Sequence, residues 1–108
     1  VLIAVAGCSA PSPADRAKEL DRMYAEGQAA RGRMDKTGQA ISETTCAAMF
    51  VATGLSEYVE TNAGGNVEPP EGFRDQRYAY YLNGCLGNGK GEAITPSVTP
   101  PAVTKSAG

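Results

Sequence analysis

The sequence predicts an all-α domain of two or three helices that is followed by a flexible tail. Three observations indicate this fold class: strong helix-forming residues over 13–36, apolar residues at helical spacing over 41–59, and a shorter periodic segment over 73–86. A chain of 108 residues is long enough for one small domain at most. We therefore expect the helical domain to span residues 13–86.

The first helix has a clear start signal and a clear stop signal. Ser12 is the expected N-cap, Pro13 the first helical residue, and Asp15 an acidic residue in the first turn. Thr37-Gly38 is expected to break or turn the helix. The chain then forms either one long, bent helix or an antiparallel pair, and a turn at this point favours the pair.

A thin apolar stripe continues through the first two predicted helices. Its members recur one heptad apart: Leu20, Gly27, Met34, Ile41, Ala48 and Leu55. This is helical periodicity, but small residues fill too many positions for a strong coiled coil. The small residues at Gly27, Ala30 and Gly38 would suit close packing on a neighbouring protein.

The second predicted helix runs over 41–59, is capped by Ser42 and ends near Thr61, before a loop over 62–72. In the third, residues 78, 81 and 85 share one apolar face, and Asn83-Gly84 is a candidate end just before Cys85. From residue 87 to 108 the chain is rich in Gly, Pro, Ser and Thr. It cannot bury enough surface to order itself alone, so we expect a flexible tail.

The N-terminal segment carries the most specific motif of the chain. The residues Val5-Ala6-Gly7-Cys8 end an apolar run, and they resemble the lipobox of bacterial lipoproteins position by position. Leu is commoner than Val at the first of these positions, and no basic residue precedes the run, so the signal peptide would be truncated. The alternative is an apolar strand or helix end with a structural thiol, although seven residues are too few to span a bilayer.

The resemblance implies that Cys8 carries a thioether-linked diacylglycerol and further acyl chains such as palmitate. Residues 1–7 would then be a remnant of the signal peptide, and residues 8–12 a tether. The implied location is the extracytoplasmic side of the bacterial cell envelope, held by the lipid anchor. In a diderm this is the periplasmic face or the outer membrane, and in a monoderm the outer face of the plasma membrane.

If Cys8 is acylated, Cys46 and Cys85 remain as one pair among the three cysteines of the chain. In an oxidising compartment we expect a Cys46–Cys85 disulfide, which stabilises the fold by roughly 4 kcal/mol on the chain-entropy model. The alternative is two reduced, buried thiols in a cytosolic protein.

The composition argues against common catalytic chemistries. The chain has no histidine, which is the most frequent general base and metal ligand, and its net charge of −2 does not suggest nucleic acid as a partner. We expect no catalytic residue, no metal and no cofactor besides the lipid. A small hydrolase that uses only carboxylates, such as Glu57 with Glu60 or Glu43 with a neighbour, is a remote alternative.

Arg74, Arg77 and Tyr80 are the candidate partner contacts, because arginine and tyrosine are frequent in binding hot spots. We expect these three side chains to face solvent, with Tyr78 and Tyr81 on the core side. The alternative is that all the tyrosines of this segment cover the core.

These observations predict a non-enzymatic, lipid-anchored envelope protein that binds another protein as an assembly, accessory or exclusion factor. Its layout is similar to that of the pilotins of secretion systems. The alternative is a structural subunit of a larger membrane protein complex that is ordered only against its partners.

Overall fold

The computed structural model describes residues 11–62 and 64–91, and it confirms the all-α class of the domain. Within those residues, a single two-stranded hairpin accompanies the helices. The elements in chain order are α1 (Pro13–Thr37), α2 (Glu43–Ala52), β1 (Glu60–Asn62), β2 (Gly65–Val67) and α3 (Phe73–Leu86). The motif at residues 5–8, the start of the tether and the predicted tail beyond residue 91 lie outside the described residues.

Helix α1 begins and ends at the residues that the local sequence indicates. The Ser12 hydroxyl accepts a 3.1 Å hydrogen bond from the backbone N–H of Asp15, and the Asp15 carboxylate accepts one of 2.9 Å from the N–H of Ser12. This reciprocal pair is a capping box. At the other end, Gly38 has a φ of 74°, a left-handed conformation that glycine adopts without a Cβ clash. The turn at Gly38 separates α1 from α2, so the long, bent helix is not formed.

Helix α2 is shorter than the sequence predicts. Ser42 is its N-cap, as expected, but the helix ends at Ala52 instead of near Thr61. Gly54 has a φ of 80°. The N–H of Leu55 donates a hydrogen bond to the carbonyl of Phe50, which closes a turn at the end of the helix. The prediction of helix over residues 53–61 is therefore wrong.

The residues that follow form an antiparallel hairpin. Its register pairs Glu60 with Val67 and Asn62 with Gly65. Part of the loop that was expected over 62–72 is therefore strand. The hairpin returns the chain to the end of the molecule at which α1 begins, and α3 starts there.

Helix α3 has the predicted bounds, and the alternative end at Asn83-Gly84 is not used. The helix continues to Leu86 and is capped by Gly87, which has a φ of 84°. Gly84 is buried within the helix instead, because α1 passes against its backbone.

Helices α1 and α3 are parallel and meet at two glycines. A Cβ on Gly27 would lie 2.8 Å from the backbone nitrogen of Cys85 and closer still to the carbonyl oxygen of Tyr81. A Cβ on Gly84 would collide in the same way with the carbonyl oxygen of Tyr24. Only glycine permits this backbone approach. Gly27 and the buried Ala30 thus pack inside the chain itself.

Helix α2 runs antiparallel to α3 and is joined to it by the predicted disulfide. Cys46 and Cys85 are bonded, and one helical turn further the Phe50 ring lies 5.0 Å from the ring centroids of both Tyr78 and Tyr81. The core cluster comprises Met23, Ala30, Met34, Cys46, Ala47, Phe50, Tyr78, Tyr81, Leu82 and Cys85. The Tyr81 hydroxyl is buried without a hydrogen-bond partner among the described residues.

Candidate functional site

The predicted contact residue Arg77 is buried, so the prediction that it faces solvent is wrong. Only 2% of its surface is exposed. Its Nε and Nη2 atoms each lie 2.9 Å from a carboxylate oxygen of Glu19 on α1, and its Nη1 atom donates a 2.7 Å hydrogen bond to the carbonyl of Leu55. The guanidinium carbon lies 4.2 Å from the centroid of the Tyr58 ring. Arg77 therefore joins α3 to α1 and to the segment that follows α2.

Glu19 is shared between two arginines. It also accepts hydrogen bonds of 3.1 and 3.0 Å from Arg22, one turn further along α1. Burial lowers the pKa of Arg77, and the hydrogen bond that Arg77 donates to Glu19 opposes that shift. The Glu19 carboxylate thus keeps a desolvated cation paired.

Glu60 forms a second buried ion pair beside the first. It is 4% exposed, and its two carboxylate oxygens each accept a 2.8 Å hydrogen bond from Arg16. The hydroxyl of Tyr58 donates a further bond of 3.0 Å. The hydrogen bond from Arg16 lowers the pKa of Glu60, whereas burial and the bond to Glu60 raise the pKa of Tyr58 to about 12.

The carboxylates considered for acid–base chemistry do not share a helix face. Glu57 is exposed in a segment without helix, and Glu60 is fixed to Arg16 in the hairpin. A lowered pKa favours the ionised form of Glu60, which is the opposite of what a general acid requires. Glu43 lies in the first turn of α2. Burial raises the pKa of Tyr78 to about 12, and the charge of Glu43 adds to that shift.

The other two predicted contact residues are only partly accessible. Arg74 donates hydrogen bonds of 3.1 and 2.6 Å to the carbonyl of Tyr58 and one of 2.6 Å to Glu68, and 41% of its side chain remains exposed. Tyr80 is half-buried and packs against the core. Val59 lies between Tyr58, whose carbonyl binds Arg74, and Glu60, which binds Arg16. The Val59 side chain is 48% exposed.

A shallow groove of about 310 Å³ lies beside the charged cluster. One wall is the first two turns of α1, including Ala17 and Leu20, and the other is the start of α3, including Phe73 and Gln76. Its lining is mainly apolar, with Arg16 at the edge.

No local signal in the sequence indicates that Glu19, Tyr58 and Glu60 belong to one cluster. Glu19 is separated from Arg77 by 58 residues, and Glu60 from Arg16 by 44. The cluster is a set of ion pairs that connects three segments of the chain. Within residues 11–62 and 64–91, no three Cys, Asp or Glu residues are grouped so that they could hold a metal ion.

Comparisons of the chain with protein-family models, with curated proteins and with solved structures found no match. In the described part of the chain, none of the helices has both the length and the apolar character that crossing a membrane requires.

Proposed function

We propose that this protein is a lipid-anchored, non-enzymatic envelope module that binds another protein as an assembly, accessory or exclusion factor. The observation that carries the proposal is the pairing of the cysteines. Cys46 and Cys85 are bonded to each other, which leaves Cys8, at the lipobox position, as the remaining thiol of the chain. A structural disulfide is typical of extracytoplasmic proteins, which supports the proposed location.

The start of α1 supports a role close to a membrane surface. The capping box fixes the helix start at Pro13, so only residues 9–12 separate the domain from Cys8. At about 3.4 Å per residue, even an extended tether of this length reaches only about 17 Å. A lipid on Cys8 would hold the domain at the bilayer surface and raise its effective concentration for partners there.

Val59 and Arg74 are the contact residues that the geometry supports best. Val59 stands between Tyr58, whose carbonyl binds Arg74, and Glu60, which binds Arg16. The bond to the Tyr58 carbonyl and the pairing of Glu60 with Val67 in the hairpin hold the backbone on both sides of this exposed apolar side chain. Arginine is frequent in binding hot spots, and a side chain on a fixed backbone loses little entropy when a partner binds.

Affinity capture from detergent-solubilised membranes tests the binding proposal. We expect the C-terminally tagged wild type to retain a stoichiometric partner that Val59→Glu loses by at least tenfold. Ala29→Glu is the matched control, since it adds the same charge at an exposed position of α1 and should retain the partner. Capture of no stoichiometric protein by the wild type would contradict the proposal.

Mass spectrometry of the purified native protein tests the anchor separately. We expect a chain that begins at Cys8 and carries the mass of a diacylglycerol, and we expect Cys8→Ser to be released from the membrane fraction. A native chain that begins upstream of residue 8 and has a free thiol there would contradict lipid anchoring.

The internal packing favours this proposal over a subunit that is ordered only against its partners. Gly27 and Ala30, which could have packed on a neighbouring protein, are covered by the chain's own α3. We expect cooperative unfolding of the isolated soluble part, measured by circular dichroism and hydrogen exchange. A largely disordered isolated chain would favour the subunit instead.

A further inference from the structure

The groove at the start of α1 and α3 lies on a longer seam between these two parallel helices. On α1, Ala17 and Leu20 line the groove, and Tyr24 is the next residue on the same face. On α3, Gln76 lines it, and Asn83 lies two turns further along that face. The groove is therefore one end of a seam whose other end lies beside Tyr24 and Asn83.

The chain already follows this seam after α3. The carbonyl of Asn88 accepts a 2.9 Å hydrogen bond from the Tyr24 hydroxyl, and the side-chain amide of Asn83 donates one of 3.3 Å to the carbonyl of Lys90. The Lys90 ammonium group lies 2.9 Å from the carboxylate of Asp21. From Asn88 to Lys90, the contacted residue of α1 changes from Tyr24 to Asp21, which is closer to the N-terminus of α1. The chain therefore runs back along the seam towards the groove.

The distance that remains is short. The backbone carbonyl of Lys90 lies at Asn83, and Asn83 and Gln76 are about 10 Å apart along the axis of α3, at 1.5 Å per residue. Three extended residues after Gly91 span about 10 Å, at 3.3 Å per residue. Ile94 is the first large apolar side chain after Gly91, and this reach brings it to the level of Ala17 and Leu20.

We propose that the chain's own segment 92–101 occupies this groove, with Ile94 packed between α1 and α3. The groove is apolar and faces the direction in which the described chain runs at Gly91. The proposal depends neither on the lipid nor on a partner protein, so it can fail independently of the proposed function.

The composition of the segment suits this role. It contains Pro96, Pro100 and Pro101, and proline restricts a chain to extended conformations that lose little entropy when they dock in an apolar groove. A segment that cannot form a core of its own can still be ordered by a surface that the same chain provides. Covalent attachment at Gly91 gives the segment a high effective concentration at the groove.

Paramagnetic relaxation enhancement tests this proposal on the full chain. A nitroxide is attached to Ser97→Cys in a ¹⁵N-labelled chain that also carries Cys8→Ser, with the Cys46–Cys85 disulfide closed. We expect the amide signals of Ala17, Leu20 and Gln76 to be lost with the active nitroxide and to return after its reduction with ascorbate. Ile94→Asp should restore these signals, while the matched control Val103→Asp should leave them lost.

Two outcomes would overturn the proposal. Equal signal loss in the Ile94→Asp chain would show that Ile94 does not hold the segment in the groove. Signal loss in a mixture of ¹⁵N-labelled chains without nitroxide and unlabelled chains with nitroxide would mean that a second copy supplies the segment.

Discussion

The two halves of α3 are attached to the rest of the molecule by different means. Its C-terminal half contacts α1 backbone to backbone at Gly27 and Gly84, and it is bonded to α2 through Cys85. Its N-terminal half is held by charged side chains, chiefly those of Arg77 and Arg74. The first attachment depends on shape and on the oxidation state of the thiols, whereas the second depends on charge.

This difference gives each half its own vulnerability. A backbone contact has no titratable group, so pH leaves it unchanged, but it does not tolerate even one added methyl group. A buried ion pair tolerates small changes of volume but not the loss of one partner, because the other charge is then buried alone. The following predictions break or sharpen the comparison, and they run from the largest expected effect to the smallest.

Gly27→Ala should have the largest effect. The new Cβ would collide with the backbone of α3 at Tyr81 and Cys85, and this backbone cannot move aside. We expect the free energy of unfolding to fall by at least about 4 kcal/mol, or the cooperative transition to be lost. Urea denaturation followed by circular dichroism measures this. Gly32→Ala is the matched control: its Cβ would meet nothing within 4 Å, so the helix should gain up to about 1 kcal/mol.

Reduction of the disulfide should come next. Cys46 and Cys85 are 39 residues apart, and on the chain-entropy model the loss of this bond costs about 4 kcal/mol. We expect the urea midpoint of the reduced protein to fall accordingly. Measuring Cys8→Ser as well separates this effect from any reaction at Cys8. Equal midpoints with and without reductant would contradict the prediction.

Arg77→Met should break the charged attachment. It leaves the carboxylate of Glu19 and the carbonyl of Leu55 without this donor, and we expect a loss of about 3 kcal/mol in the free energy of unfolding. Arg74→Met, which removes a partly exposed arginine from the same helix, should cost only about 1 kcal/mol. If the two variants lost equal stability, burial would not distinguish the two arginines.

Acid should weaken the ion pair between Glu60 and Arg16, which joins the hairpin to α1, and not the backbone contact of α3. The folded-state pKa of Glu60 is below its ordinary value, so the unfolded chain takes up a proton first as the pH falls. The stability that Glu60 contributes is therefore present above its ordinary pKa and is lost as the pH falls through the folded-state pKa. We expect Glu60→Gln to be less stable than the wild type near neutral pH, with a difference that shrinks in acid. Urea midpoints across this pH range measure it, and a constant difference would contradict the assignment.

Tyr81→Phe should have the smallest effect, and in the stabilising direction. The Tyr81 hydroxyl is buried without a partner among the described residues, so its removal should leave stability equal or raise it by up to about 1 kcal/mol. Tyr24→Phe is the matched control. The Tyr24 hydroxyl donates a 2.9 Å hydrogen bond to the carbonyl of Asn88, and we expect its variant to lose about 1 kcal/mol. A loss of stability in Tyr81→Phe would show that its hydroxyl is satisfied.

The sequence predicted what local chemistry determines. Ser12 and Ser42 cap their helices as expected, because a cap involves residues within one turn of each other. The end of α2 also had a local signal in Gly54, but the apolar spacing that continued through Leu55 and Val59 outweighed it in the prediction.

The candidate site could not be predicted in the same way, because its contacts are distant in the sequence. Arg77 was predicted to face solvent, yet Glu19 and the carbonyl of Leu55 provide partners 58 and 22 residues away. Gly84 was considered only as a candidate helix end, since the sequence does not show that α1 passes against it. The sequence therefore predicted the helices and the disulfide, but not which charged groups the fold would bring together.

The parallel arrangement of α1 and α3 has a consequence for how the chain folds. Parallel neighbours cannot be joined by a short turn, so α2 and the hairpin must carry the chain back before α3 can begin. The apolar face of α1 at Met23 and Met34 therefore has no α3 to cover it until residues 73–86 have been synthesised. Contacts of such long sequence separation slow folding, so we expect α1 to gain its buried surface only late in the synthesis of the domain.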